Sequence, residues 1–192
     1  MIALLPGSRR NEVRQILPDL VAAASLIRYR VPRAQFIAAR APHVSPDLFE
    51  PMKDLQSQGA AAVVDGAADS VLAAADVALV ASGTITVQAA LHECPMVVVY
   101  RLSPVTYRLG KPFVHVRTYA MVNLVAGRTV VPELIQDDFT PRAVAEEALR
   151  VLTDPAHAKS VRAALREVRA KLGQPGASRR AAKAVLAAAR RT

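Results

Sequence analysis

Two short loops in this sequence carry the residue types that hold anions. They close the segments IALLPGSR, from Ile2 to Arg9, and VALVASGT, from Val77 to Thr84. Each segment begins as an uninterrupted apolar run, the pattern of a buried parallel strand, and a helical pattern follows it. A strand that ends in Gly-Ser or Ser-Gly before a helix directs backbone N–H groups at one point, which favours a phosphate. Neither loop has the Walker or the complete GxGxxG pattern, so an ordinary strand-to-helix turn stays the alternative for each.

The elements that must position these loops alternate between strand and helix. After the strand that begins at Ile2, apolar runs predict strands at 34–39, 61–64, 77–81 and 96–100. Between these strands, the spacing of apolar residues predicts helices at 13–27, 52–58, 70–75 and 84–93. Pro18 either marks the true start of the first helix or kinks it. The alternation predicts an α/β fold with a parallel sheet, helices on both faces and both loops at one edge.

Beyond residue 103 the predicted elements are mainly helical. Apolar spacing and Ser-Pro or Thr-Pro starts predict helices at 103–109, 140–152, 156–172 and 178–191. Residues 111–130 have a mixed pattern, and 132–136 are predicted to form a short helical turn. We therefore predict one domain over residues 1–153, followed by a helical tail over residues 154–192.

The net charge of the chain is concentrated in this tail. The chain carries 25 Lys and Arg against 16 Asp and Glu, a formal charge of +9. Residues 159–192 hold ten basic residues and one acid, Glu167, which accounts for the whole excess. A solvated helix face, attraction to anionic lipid headgroups and binding of nucleic acid are the three alternatives. The tail has no aromatic residue on which a base could stack, which disfavours nucleic acid as a partner.

The composition favours a globular cytosolic protein. The chain has 192 residues, of which 52% are hydrophobic, enough for one domain with its own core. The best candidate for a membrane span, residues 77–91, is shorter than the roughly 18 residues required. No basic region follows Met1, so no secretory signal is expected. The single cysteine, Cys94, excludes an internal disulfide, fits a reducing cytosol and is expected to be a buried small residue.

The histidines give no indication of a metal site. They are scattered along the chain without ligand spacing, and none has an evident acidic or hydroxyl partner in the sequence. The four positions are His43, His92, His115 and His157. Each is predicted to be an ordinary surface or core residue, and no metal is expected.

Longer motifs resemble a known enzyme family. The chain closely resembles lipid-A-disaccharide synthase in four segments, which are LLPGSRRNEV at 4–13, ASGT at 81–84, CPMVVVYR at 94–101 and MVNLVAGRTVVPELIQDDFTP at 121–141. The resemblance covers nearly the whole chain but only the carboxyl-terminal half of that enzyme. It implies a Rossmann-like parallel sheet that forms the C-terminal half of a GT-B glycosyltransferase fold. Residues 1–153 would then be the nucleotide-sugar-binding domain, and 154–192 a basic helical tail.

The resemblance also implies a reaction and a location. Members of that family transfer 2,3-diacylglucosamine from UDP-2,3-diacylglucosamine to 2,3-diacylglucosamine 1-phosphate, with inversion, and form the β-1,6-linked disaccharide of lipid A. They need no cofactor and no tightly bound metal, and they work at the inner face of the bacterial inner membrane. The expected location is therefore cytoplasmic and peripheral on that membrane, with the basic tail in contact with its surface.

By this resemblance, two loops and two further residues bind the UDP part of the donor. Arg9 offers a bidentate clamp for the leaving diphosphate, beside hydrogen-bond donors of its loop. Related glycosyltransferases have a ribose-binding glutamate where this chain has Gln88, and an amide is a weaker acceptor than a carboxylate. The whole implied binding set is Gly7, Ser8, Arg9, Ser82, Gly83, Thr84, Gln88 and Asn123.

Six further residues are expected near the donor site. Glu12 either orients the Arg9 guanidinium or only favours the helix N-terminus. Glu133 and Arg128 either contribute to the site or form an internal ion pair. Arg101 is expected beside a phosphate, at the end of the fifth strand. The six are Glu12, Tyr100, Arg101, Arg128, Glu133 and Gln136.

The family's catalytic base belongs to an amino-terminal half that this chain lacks. No catalytic residue is therefore expected here, and the chain alone is expected to bind UDP-sugar weakly without turnover. The missing half is an expected partner, and a homodimer is a further one. Two alternatives stay open: a non-catalytic UDP-sugar or membrane-surface binding module, and half of a related GT-B glycosyltransferase or UDP-sugar epimerase. The block at 121–141 argues against the second.

Overall fold

The described residues form one parallel sheet flanked by helices. The computed structural model describes residues 1–101, 118–173 and 176–189. The strand order is β3-β2-β1-β4-β5-β6, and every pairing is parallel. The predicted α/β class is therefore confirmed, and the helix predicted at 103–109 lies outside the described residues. The strands are β1 (Ile2–Leu5), β2 (Phe36–Arg40), β3 (Ala61–Asp65), β4 (Val77–Ala81), β5 (Met96–Tyr100) and β6 (Glu133–Ile135).

Helices cover both faces of the sheet. On the first face lie α1 (Arg10–Arg30), a 3₁₀ helix (Pro46–Met52), α2 (Lys53–Ser57) and α6 (Pro141–Thr153). On the second face lie α3 (Ala68–Ala74), α4 (Ile85–Leu91), α5 (Met121–Ala126) and α7 (Pro155–Leu172). The last described helix, α8 (Ala177–Ala189), has no buried residue. Each of the two layers therefore has its own apolar core against the sheet.

The centre of the sheet is the pair β1 and β4. Every residue of both strands is buried, and the register pairs Ile2 with Val77 and Leu5 with Val80. Strands without polar alternation need apolar cover on both faces, which the two helical layers supply. Because the register holds to the carboxyl ends, the loops that follow the two strands begin side by side at one edge of the sheet.

The prediction of a helical turn at 132–136 is wrong. Residues Glu133–Ile135 form β6, and a 3₁₀ helix at Gln136–Asp138 follows. β6 pairs with β5, matching Val98 with Glu133 and Tyr100 with Ile135. The edge of β5 offers backbone N–H and C=O groups to residues 133–135. If these residues formed a helical turn instead, those groups of β5 would lack this partner. Three residues are too few for periodicity to distinguish strand from helix, so pairing within the fold decides.

The first helix begins well before Pro18. α1 runs from Arg10 to Arg30 with Pro18 inside it, so the alternative in which the helix starts at Pro18 is wrong. Proline has no N–H to donate to the preceding turn, which weakens a helix interior. Buried residues lie on both sides of it, from Val13 to Ile27, and Pro18 itself is on the exposed face. Packing of the apolar stripe therefore holds the helix through its weak point.

The two helices of the predicted tail behave differently. α7, predicted at 156–172, buries Val161, Leu165 and Val168 in the core of the second face. α8 instead exposes Val185 and Leu186, at 68% and 58% of their surface. The predicted division of the chain after residue 153 stays a prediction. Among the described residues, no helix has the length and apolar character of a membrane span.

Removal of the Phe139 ring should destabilise the fold strongly. The ring is 1% exposed, and the Arg101 guanidinium lies 4.6 Å from its centroid. We expect Phe139→Ala to lower the free energy of unfolding by about 3–5 kcal/mol, because it leaves a cavity in the core. Urea denaturation measures the change. Tyr29→Ala is the matched control, since that aromatic side chain is 86% exposed. A loss below about 1 kcal/mol for Phe139→Ala would contradict the assigned packing.

Candidate functional site

A cleft of about 500 Å³ lies at the carboxyl edge of the central strands. The loop after β1 and the loop after β4 form its two sides, and the ends of β2 and β3 close it with Arg40 and Gly66. In open α/β sheets this edge is where ligands bind. The cleft brings together Glu12 and seven of the eight predicted binding residues, namely Gly7, Ser8, Arg9, Ser82, Gly83, Thr84 and Gln88.

The first loop is built around the Glu12 carboxylate. Oε2 of Glu12 accepts hydrogen bonds from the backbone N–H groups of Ser8 and Arg9, each at 3.2 Å. Gly7 has a φ of +114°, a backbone conformation that residues other than glycine rarely adopt. The loop conformation therefore depends on a glycine at position 7 and on the Glu12 carboxylate in the first turn of α1.

Arg9 is the exposed cation of the cleft. Its side chain is 80% exposed, and Nη1 donates to Oε1 of Glu12 at 2.7 Å. This hydrogen bond raises the pKa of the Arg9 guanidinium above its ordinary value. One of the five N–H donors of Arg9 is thus engaged with Glu12, and the planar group can offer others to a phosphate. The sequence left two roles open for Glu12. The geometry is consistent with the first, in which Glu12 orients the Arg9 guanidinium, because the carboxylate contacts that group directly.

His43 contacts the same loop from the opposite side. Its Nε2 lies 2.7 Å from the backbone oxygen of Ser8, so the ring donates a proton there. The peptide unit between Ser8 and Arg9 is therefore held by Glu12 at the Arg9 N–H and by His43 at the Ser8 carbonyl oxygen. Sequence reasoning missed this contact because His43 lies 35 residues away along the chain. The position of His43 after β2, at the same sheet edge, was the available indication.

The second loop is a strand-to-helix turn with internal hydrogen bonds. The Ser82 N–H donates to the backbone oxygen of Val99 at 2.9 Å, which continues the sheet by one bond. The carbonyl oxygen of Gly83 accepts from the Thr86 hydroxyl at 2.8 Å. Thr84 precedes α4, and Gln88 stands one turn into that helix, exposed on the cleft. Gln88 therefore faces the cleft, and its contact with a ribose stays a prediction.

A bidentate ion pair holds Arg40, which lines the cleft at the end of β2. Arg40 donates from Nε and Nη2 to the two oxygens of Asp65, each at 2.7 Å, across the ends of β2 and β3. Arg40 also donates to the backbone oxygen of Val44 at 3.1 Å. The ion pair ties two neighbouring strand ends together and fixes the loop that carries His43. The sequence analysis did not single out either residue, since nothing in the local pattern links them.

Asn123 lies outside the cleft lining and is 1% exposed. Its Oδ1 accepts from the N–H groups of Val130 and Val131, at 2.8 and 3.1 Å. Its Nδ2 donates to the backbone oxygen of Val131 at 2.9 Å and to Oε1 of Glu133 at 2.7 Å. Two acceptor and two donor positions are all that an amide has. The structure therefore gives Asn123 a structural role and leaves the amide without a free position for the predicted donor contact.

Glu133 and Arg128 do not pair with each other. Glu133 accepts from Asn123 and, through Oε2, from the N–H of Tyr119 at 2.7 Å. Arg128 donates to Glu167 on α7 at 2.9 Å. The alternative of an internal Glu133–Arg128 pair is therefore wrong. Each of the two residues has a partner that is remote in sequence. Glu167 on α7 pairs with Arg128, and Tyr119, just before α5, donates to Glu133.

The remaining expected neighbours line the sheet edge outside the cleft. Arg101 pairs with Asp19 of α1 and donates to the backbone oxygen of Phe139 at 2.7 Å. These contacts engage two groups of its guanidinium, and the predicted phosphate contact of Arg101 stays a prediction. Tyr100 is half-buried at the end of β5, and Gln136 begins the 3₁₀ helix after β6. Of the six expected neighbours, only Glu12 therefore lines the cleft together with the predicted binding residues.

His92 and Cys94 contact neighbouring parts of the domain, and His115 lies outside the described residues. His92 does have an acidic partner, Asp69, whose Oδ1 lies 3.1 Å from Nε2. This partner was not evident in the sequence, because Asp69 in α3 lies 23 residues before His92 at the end of α4. Cys94 is 2% exposed, as expected. No group of three or more His, Cys, Asp or Glu side chains suited to a metal ion occurs among residues 1–101, 118–173 and 176–189.

The sheet, its helical layers and the two-loop cleft define a Rossmann-like domain of the GT-B class. The fold is similar to that of TarM from S. aureus, solved with fondaparinux, alpha-GlcNAc-glycerol and UDP, with a TM-score of 0.61 and 10% identity over 87% of this chain and 31% of that chain. It is also similar to UDP-GlcNAc 2-epimerase from Neisseria meningitidis, solved with UDP-GlcNAc, with a TM-score of 0.58 and 14% identity over 89% of this chain and 44% of that chain.

The sequence comparisons identify the family. The chain belongs to the lipid-A-disaccharide synthetase family, whose model matches residues 1–188. It is 44% identical to the lipid-A-disaccharide synthase of Anaeromyxobacter dehalogenans over 185 residues, and 42% identical to that of Myxococcus xanthus over 186 residues. Each match covers 96% of this chain and 48% of the relative. The chain therefore spans about half the length of the curated relatives it matches.

Substitution of Asn123 should cost stability. Asn123→Ala leaves the N–H groups of Val130 and Val131 and the Glu133 carboxylate without their partner. We expect a loss of about 1–3 kcal/mol in the free energy of unfolding, the cost of buried groups without hydrogen bonds. Chemical denaturation measures it, with the exposed Asn11→Ala as the control. An Asn123→Ala protein as stable as the parent would show that water replaces the amide.

Cys94 should be unreactive in the folded protein. Burial raises the pKa of its thiol from the ordinary 9.0 to about 12. Because the folded value lies above the unfolded value, this thiol contributes stability below pH 9 that is lost as the pH rises towards 12. We expect iodoacetamide at about pH 8 to label Cys94 only in denaturant, as mass spectrometry would show. Labelling of the native chain at the rate of free cysteine would contradict the burial.

Proposed function

We propose that this chain is the UDP-sugar-binding half of a lipid-A-disaccharide synthase. The observation that carries the proposal is the cleft in which the Gly7–Arg9 loop and the 82–84 loop face each other. An exposed arginine beside hydrogen-bonding loops at a sheet edge suits a diphosphate. Membership of the family, together with relatives named lipid-A-disaccharide synthase, supports UDP-linked donor chemistry at this cleft.

The proposed reaction transfers 2,3-diacylglucosamine from UDP-2,3-diacylglucosamine to 2,3-diacylglucosamine 1-phosphate. UDP is the leaving group, so negative charge grows on its diphosphate as the glycosidic bond to the donor breaks. Arg9 lies where it can neutralise that charge, and stabilisation of developing charge lowers the barrier to transfer. Ser8, Ser82 and Thr84 would donate hydrogen bonds, and Gln88 would contact the ribose.

The other half of the enzyme would supply the rest of the active site. This chain spans 48% of its relatives from Anaeromyxobacter and Myxococcus. In our proposal the catalytic base and the acceptor site belong to the half that those relatives have in addition. The chain alone then binds donor nucleotide and forms no disaccharide.

We also propose that α8 directs the protein to the inner face of the bacterial inner membrane. The helix combines Arg179 and Lys183 with the exposed apolar residues Val185 and Leu186, and its described residues include no acid. Basic and apolar groups together bind anionic lipid surfaces. A second copy of the chain is the competing partner for the same helix, as a homodimer.

A non-catalytic binding module is the second candidate function. The cleft favours it, because a domain with two anion-suited loops could bind UDP-sugar without catalysing a transfer. Formation of disaccharide after addition of the complementary half would separate the two. An enzyme half regains transfer in that experiment, whereas a binding module does not.

Calorimetric titration with UDP tests the proposal. We expect Arg9→Ala to weaken UDP binding by about 1–3 kcal/mol, because it removes a charged donor to the diphosphate. Arg142→Ala is the matched control, since Arg142 is exposed and pairs with Glu146 on α6, just as Arg9 pairs with Glu12. UDP affinity that is the same in Arg9→Ala, Arg142→Ala and wild type would count against the cleft as the diphosphate site.

A further inference from the structure

The Glu12 carboxylate, which is mostly shielded from solvent, holds the loop after β1 through hydrogen bonds. The Glu12 side chain is 15% exposed, whereas its partner Arg9 is 80% exposed. Oε2 of Glu12 accepts from the two backbone N–H groups of Ser8 and Arg9, and Oε1 accepts from the Arg9 guanidinium. Three donors of one loop therefore converge on two oxygens of one carboxylate. Both Glu12 and Arg9 line the cleft.

Glycine at position 7 makes room for this carboxylate. A Cβ built on Gly7 would lie 2.6 Å from Oε2 of Glu12 and 2.9 Å from its Cβ, distances that real Cβ atoms essentially never show. The positive φ of Gly7 adds a second reason for glycine. Gly7, the following peptide and Glu12 thus form one interlocked unit. The spacing of five residues between Gly7 and Glu12 is set by the first turn of α1.

The geometry points to Glu12 as a positioning residue for diphosphate binding. Glu12 fixes the Ser8–Arg9 peptide and holds one guanidinium N–H of Arg9, so that the other donors of Arg9 are presented to the cleft. An arginine fixed in advance loses less conformational freedom when it binds its ligand. This inference rests on the proposed function, because it takes the diphosphate of UDP as the ligand of the loop.

A carboxylate is required for this role, and an amide cannot replace it. Glutamine has one acceptor oxygen and an NH₂ group that only donates. In Glu12→Gln the NH₂ group must face either the two backbone N–H groups or the Arg9 guanidinium, all of which are donors. One set of contacts is therefore lost. The charge of Glu12 is already compensated by Arg9 at 2.7 Å, so repulsion of the ligand by Glu12 is the smaller effect.

The test compares UDP with uridine, which lacks the diphosphate. We expect Glu12→Gln to weaken UDP binding about 3- to 10-fold, the range for one net hydrogen bond, and to leave uridine binding unchanged. In an Arg9→Ala background the same substitution should weaken UDP binding less than it does in the wild type, because the part of its effect that passes through the Arg9 guanidinium is already lost. Calorimetry measures UDP, and ligand-observed NMR measures uridine.

Glu146→Gln is the matched control. It makes the same change in net charge and disrupts a similar ion pair, with Arg142 on α6, and we expect unchanged UDP affinity. Circular dichroism checks that each variant is folded. If Glu12→Gln does not fold, Glu12→Asp carries the same expectation, since it keeps the charge but shortens the reach to the Ser8 and Arg9 amides.

Three results would overturn the inference. They are an unchanged or higher UDP affinity in Glu12→Gln, an equal loss of uridine and UDP affinity, and a full effect of Glu12→Gln without Arg9. Each presupposes that the wild-type chain binds UDP. A folded wild-type chain that does not bind UDP would instead overturn the proposed function itself, and the role of Glu12 with it.

Discussion

The pairing of β1 with β4 is the constraint on which the rest of the structure depends. The two strands are neighbours in the sheet although 71 residues separate their ends, and their register brings the carboxyl ends level. Such a non-local pairing is stable only because both strands are buried on both faces. The helical layers therefore do more than cover the sheet. By holding β1 beside β4, they hold the two loops of the cleft beside each other.

Much of this arrangement could be predicted from residue patterns. Unalternating apolar runs identify five of the described strands, and their alternation with helices fixes the class and the sheet edge that carries the loops. The pattern fails at β6, because a three-residue strand has no detectable period and takes its conformation from the free edge of β5. It also fails at the start of α1, where packing on both sides of Pro18 outweighs a local preference.

The candidate site divides in the same way. Residues within the two loops were predictable, since each loop follows its strand directly. Several residues farther from them were not, because their contacts depend on partners remote in sequence. Asn123 carries polar groups suited to a ligand, but the backbone at 130–131 and Glu133 engage them all. His43 shows the opposite case, because the fold brings it to Ser8 from 35 residues away in the sequence. The sequence does not show how deeply a side chain is buried or how many of its hydrogen-bonding groups are engaged. These two properties distinguish Asn123 from His43.

The packing of α7 has a consequence for the electric field of the molecule. Arg166 and Arg169 donate to Glu93, and Lys171 donates to the backbone oxygen of Ala126, so these positive charges lie against the body of the domain. The basic residues of α8 extend beyond it. A charge distribution that is lopsided in this way gives the protein a dipole, and a dipole turns in the field of a charged surface before contact. Ionic strength sets the range of this effect, since salt shortens the reach of the field to about 8 Å under physiological conditions.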